Sequence, residues 1–102
     1  MLVRMWIGWI EFDVLLGDVH SLKEKRSAIR PIIAEIKRKF SVSAAEVDNH
    51  DLHRRAAIGA SVVGPDRRHV SDVLDSIEHL VARRPEIEVN SARRRVLASD
   101  DF

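Results

Sequence analysis

Two apolar stripes at helical spacing, each flanked by segments with strand character, limit what this chain can fold into more than any other feature of its sequence. The first stripe is Leu22, Ile29, Ile32, Ile33, Ile36 and Phe40; the second is Val70, Val73, Leu74, Ile77, Leu80 and Val81. Such spacings put side chains on one side of an α-helix, which must then be buried against something. Before the first stripe, Val3 to Leu16 is aliphatic or aromatic almost throughout and closes on Gly17-Asp18, so it reads as a long strand. Trp6, Ile10, Phe12 and Val14 share one face of it. Val3, Met5, Ile7 and Trp9 share the other, which turns acidic at Glu11 and Asp13. Both faces are apolar in the first half, as in a central strand.

The punctuation supplies the rest of the order. Ser21 followed by Glu24 makes a capping box that starts a helix reaching Phe40, with Pro31 expected to bend it. Val42 to Asp48 reads as a short strand and Leu52 to Val63 as a longer one, joined through Asn49-His50-Asp51, with Ala56, Ile58, Ala60 and Val62 on one face. Gly64-Pro65-Asp66 precedes the second helix, Pro85 stops it, and Glu86 to Leu97 forms a last strand running into three arginines. Residues 1–98 make one domain and 99–102 a tail.

This order, β-α-β-β-α-β, predicts an α+β, ferredoxin-like sandwich: a four-stranded antiparallel sheet with two helices on one face. Two helices with one stripe each cover only that face. The opposite face would show Val3, Met5, Ile7 and Trp9 beside Arg55, Ala57, Gly59, Ser61 and Val63, an apolar patch of the kind that marks an interface. A two-fold homodimer is the simplest partner for it, and Trp6 is expected in the core.

Composition narrows the chemistry. A chain of 102 residues has room for one core, and its hydrophobic and charged fractions of 45% and 32% are those of a folded protein. With no cysteine, thiolate nucleophiles, disulfides and iron–sulfur ligation are excluded. No apolar run approaches the length of a membrane span and no signal peptide is evident, which points to the cytoplasm. Net charge is only +1, so any attraction for polyanions must come from local clusters of lysine and arginine.

At Ser21 to Arg26 stands S-L-K-E-K-R, followed by A-E-V-D at Ala45 to Asp48, D-L-H-R-R-A at Asp51 to Ala56 and D-R-R-H-V at Asp66 to Val70. In these runs the chain resembles the YlxP-like family of small bacterial proteins of unknown function, from the first strand through the second helix. The resemblance implies a ferredoxin-like fold and genes near those for translation initiation and ribosome maturation factors; it implies no established reaction. Where the family commonly has an aromatic residue and then glutamine after D-L, this chain has His53 and Arg54, while Arg55 and Ala56 match.

Several constellations carry possible chemistry. Lys23, Arg26, Arg30 and Lys37 fall along one flank of the first helix, away from Glu24 and Glu35, and with Arg54 and Arg55 form a candidate phosphate-binding set for RNA or the ribosome. The plainer alternative is a solvated helix edge. Base stacking in the manner of RNA-recognition domains is not expected, because the third strand offers Ala57, Gly59 and Ser61 rather than aromatics. Asp48 to His53 holds metal-capable side chains without a second ligand cluster, so a polar turn is expected rather than a metal site. Glu11, Asp13, Glu46 and Asp48 would suit acid–base work only if they converged; a cross-strand ion pair with Arg55 is the more ordinary outcome. The expectation is therefore a binding module with no cofactor and no catalytic set. Contact with another protein through the open sheet face is the alternative to RNA.

Overall fold

A computed structural model describes residues 4–101. Strand β1 (Trp6–Leu16) is followed by α1 (Leu22–Phe40), β2 (Ser43–Asp48), β3 (Arg55–Gly64), α2 (Arg67–Ala82) and β4 (Ile87–Ala98), with one 3-10 turn at Ser99–Asp101. The strands form one sheet in the order β2-β3-β1-β4, every neighbouring pair antiparallel. This is the ferredoxin-like α+β arrangement that the periodicity predicts. Val3 lies outside the described residues, and Met5 precedes β1 rather than opening it.

Alternation along β1 sorts the two faces. Ile10, Phe12, Val14 and Leu16 are buried together with Ile29, Ile32 and Ile36 of α1 and Val70, Leu74 and Ile77 of α2 in a single core. Both helices therefore lie on the same side of the sheet. Gly8 makes the approach of α2 possible: a Cβ there would collide with a methyl of Val70 and lie 3.1 Å from one of Leu74. Trp6 is half-buried at the margin rather than central, with the guanidinium carbons of Arg67 and Arg4 at 5.2 and 5.9 Å from its ring. That geometry suits cation–π attraction, and the sheet end there leaves part of the indole exposed.

The helix boundaries follow their caps. Ser21 Oγ accepts from the Glu24 N–H, and the Glu24 carboxylate accepts in turn from the His20 N–H, one residue before the expected capping-box donor. Asp66 caps α2 by accepting from the His69 N–H at 2.7 Å. Pro31 sits inside α1 without ending it, on the exposed side. Ser41 closes α1 in a left-handed conformation, its N–H donating to the Lys37 carbonyl. The short segment after β4 is tied down: the Ser99 N–H donates to the Met5 carbonyl, Ser99 Oγ accepts from the Met5 N–H, and Arg4 pairs with Asp100. Among the described residues no helix is long and apolar enough to cross a membrane.

Candidate anion-binding ridge and open sheet face

Helix α1 presents its charges asymmetrically because its buried stripe fixes its rotation. On one side of the stripe, Glu35 is reached by Arg84, just past the end of α2, at 3.3 Å. The flank carrying Lys23, Arg26, Arg30 and Lys37 is the one turned away from that contact. Lys23, Arg26, Ser27, Arg30 and Pro31 line one shallow hollow of about 430 Å³. Lys37 continues the row into the last turn, where cations also suit the helix C-terminus; Arg38 and Lys39 share that turn but project to other sides of the helix. Among the described residues none of these cations forms an ion pair, while Arg4, Lys25, Arg55, Arg84, Arg93 and Arg94 all do.

Arg54 and Arg55 do not join the ridge. They lie at the start of β3, where Arg54 Nε donates to the Val19 carbonyl at 3.4 Å. Arg55 grips Asp13 with two parallel hydrogen bonds, Nε to Oδ1 at 2.9 Å and a terminal nitrogen to Oδ2 at 2.7 Å. Asn90 of β4 adds a third at 3.0 Å. The Arg55 guanidinium, and next the Asn90 amide, hold the Asp13 carboxyl down to about 2, and Asp13 raises Arg55 in return. Beside this group, Arg93 donates to Glu11 at 2.8 Å. The half of the open face around Glu11 and Asp13 is thus a satisfied ladder of charges across β3, β1 and β4, and Arg55 is already occupied.

The other half of that face is apolar and uncovered by any described element. Ile7 and Trp9 lie opposite Val63 and Ser61 on β3 and opposite Leu97 and Arg95 on β4. Beyond Trp9 the small residues Ser43, Ala45, Gly59 and Ser61 floor a trough of about 400 Å³ between Trp9 and Val47. Gly59 is what keeps it open, since a Cβ there would lie 3.0 Å from a Val47 methyl. Met5 is 43% exposed and Val47 49%. Of the interface set expected from sequence, Ile7 and Trp9 take the open face together, and Met5 is exposed just before it.

The Asp48 to His53 turn is organised by a residue whose role sequence reasoning missed. Lys25 is 1% exposed and its ammonium donates to the carbonyls of Asn49 at 2.6 Å and Leu52 at 2.7 Å. Its remaining direction is filled by Glu46 Oε2 at 2.8 Å, a buried oxygen with no well-angled hydrogen bond, compensated by the ammonium charge. Asn49 takes a positive φ of 63°, which asparagine tolerates. The signal was present: Lys25 falls in line with Leu22, Ile29 and Ile32 on the apolar stripe, where an unpartnered charge would be untenable. Glu46 therefore points to the helix side of the sheet, and the four carboxylates do not converge. Among the described residues no three His, Asp or Glu side chains gather as metal ligands.

Residues 7–94 match the family described as "Protein of unknown function (DUF503)". The chain is 32% identical over 82 residues to the uncharacterized protein YlxP of Bacillus subtilis (strain 168), an overlap of 80% of this chain and 89% of that one. Among solved structures it resembles the de novo designed protein Foldit4, at a TM-score of 0.51 and 14% identity over 93% of this chain and 96% of that one. It also resembles LarC2, the C-terminal domain of a cyclometallase involved in the synthesis of the NPN cofactor of lactate racemase, at a TM-score of 0.52 and 15% identity over 94% of this chain and 57% of that one. These structural likenesses bear on the fold alone.

Proposed function

The chain belongs to the DUF503 family of YlxP-like proteins, and from that premise we propose that it is a non-catalytic cytoplasmic binding module that holds RNA by its phosphate backbone along the outer flank of α1. Lys23, Arg26 and Arg30 form the centre of the contact and Lys37 extends it. The observation that carries this reading is that these cations gather on one flank of a single helix with no acidic partner among the described residues, whereas Arg4, Arg55, Arg84, Arg93 and Arg94 are each held by a carboxylate. Cations left together without internal partners attract polyanions even where net charge is close to zero. Arg54 is an outlying contact, and Arg55 takes no part because Asp13 holds it.

Phosphate contact has a signature in salt. Binding of a ribosomal RNA fragment, measured by filter retention from 50 to 200 mM salt, should weaken along a straight log–log line whose slope is roughly −0.7 to −0.9 per phosphate contact. Replacing Arg26 and Arg30 together by alanine should make that slope shallower by roughly 1.4 to 1.8. Absent or salt-insensitive binding rejects the proposal. A second reading, contact with another protein or a second copy through the open sheet face, is supported by the uncovered trough beside Trp9. Capture of a partner from nuclease-treated lysate that is lost on Trp9→Ala, together with no RNA affinity, would favour it.

A further inference from the structure

The two edges of the sheet are defended unequally. β4 carries Arg93, Arg94 and Arg95, and its pairing with β1 is broken by a bulge next to Asp13. Charges and bulges of this sort discourage another strand from adding to an edge. β2, with the sequence Ser-Ala-Ala-Glu-Val-Asp, has no lysine, arginine or proline. Its central charge, Glu46, is turned inward onto Lys25. A bulge lies only at its far end, around Val47, so Ser43 to Glu46 pair regularly with β3, and among the described residues no strand takes their other edge.

Surroundings determine what fits that edge. α1 packs over β2, and its flank turned away from the Arg84–Glu35 contact looks out past the edge. At about 100° of rotation per residue, Arg26 and Lys37 stand roughly a right angle from the buried stripe, on the shoulder above β2, with Lys23 and Arg30 higher. On the opposite face lies the apolar trough, whose near wall is Val47. A strand added about 4.8 Å beyond β2 would point alternate side chains toward the cations and toward the apolar face.

We propose that β2 is a docking edge for an extended polypeptide segment that alternates acidic with apolar residues, its backbone pairing with Ser43 to Glu46, its acids under Arg26 and Lys37 and its apolar side chains continuing the trough. Strand addition of this kind draws affinity from main-chain hydrogen bonds and specificity from alternate side chains. A second copy of the chain fits less well, because β2-to-β2 pairing about a two-fold axis would bring two rows of unpaired cations together. A phosphodiester chain has no amide ladder to offer. Lys25, next to Arg26, reaches Glu46 and Asn49, so Arg26 stands toward the end of β2 and Lys37 toward its start, and Asp48 and Asp51 disfavour acids beyond Arg26. The inference goes beyond RNA binding and does not rest on it, although the shared cations make the two ligands competitors.

The test uses the unmodified protein and a fluorescent eight-residue peptide of alternating glutamate and valine, followed by anisotropy at low salt. Saturable binding is expected, and N-methylation of one alternate set of peptide amides should weaken it at least tenfold while the other set is spared. Amides of Ser43 to Asp48 should gain protection from hydrogen exchange on binding. Arg26→Glu with Lys37→Glu should reduce affinity by at least tenfold. No binding, or binding indifferent to which amides are methylated, overturns the proposal. So does sedimentation of the free chain as a dimer whose β2 amides become protected with concentration, since the edge would then belong to a second copy. Because no nucleic acid is present, failure here is separate from failure to bind RNA.

Discussion

At the scale of single residues, the charges that matter most are those already spent inside the molecule. Lys25 holds the carbonyls of Asn49 and Leu52 and balances Glu46, so one side chain fixes both ends of the turn between β2 and β3. Lys25→Met would leave a buried carboxylate and two carbonyls without their donor, and should cost about 3 kcal/mol of stability in urea unfolding. Adding Glu46→Leu to it should recover part of that loss, because the pair is worth less than the penalty of half of it. Asp13 predicts a pH dependence. Its carboxyl, ordinarily near 3.8, is held to about 2 by Arg55 and Asn90. The folded state therefore binds that proton more weakly than the unfolded chain, and stability rises with pH across the window. The contribution is complete above pH of about 4 and disappears as pH falls toward about 2. Urea midpoints measured over that range should fall less steeply for Asp13→Asn, and an unchanged slope would argue that the ladder does not persist in solution.

At the scale of elements, the packing of α2 against β1 depends on a missing side chain. Gly8→Ala would drive a methyl into Val70 closer than real contacts come, and tightly against Leu74, so α2 must shift or the core must open. Overpacking of this sort should cost about 3 kcal/mol, read as a lower melting temperature. A variant as stable as the parent would show that α2 sits farther from the sheet. The elements themselves were legible because periods of two and of 3.6 are written directly in the apolar residues of β1, β3, α1 and α2. Their ends were less so. β3 begins at Arg55 rather than Leu52 because the Leu52 carbonyl is claimed by Lys25, a tertiary partner that no local pattern reveals. The ridge of Lys23, Arg26, Arg30 and Lys37 could be read from helical spacing, and the cross-strand counter-ion role of Arg55 from the predicted strand topology. That role also removes Arg55 from any ligand, which became plain only with the register that sets Leu15 against Arg55 and Asp13 against Ala57. Trp6 read as core because apolar alternation does not show where a sheet runs out.

At the scale of the whole molecule, the asymmetry of the sheet has a dynamic consequence. β1 is bonded on both sides, by β3 and β4, and β3 by β2 and β1, whereas β2 has six residues and a single partner. Both helices cover the same face, so protection from solvent is set by position across the sheet and by which face a residue serves. Local opening requires loss of fewer contacts at an edge than at the centre, and amide exchange reports that difference directly. The amides of Ile10, Phe12 and Ile58 should exchange only through global unfolding. Those of β2 that point away from β3 should exchange at least about a hundredfold faster, equivalent to roughly 3 kcal/mol less protection. The contrast should hold at high dilution and be independent of salt, because it arises from strand order and not from charge. If the outward amides of β2 prove as slow as those of β1 in the free chain, the edge is covered in solution. A strand-docking role would then have to give way to whatever covers it.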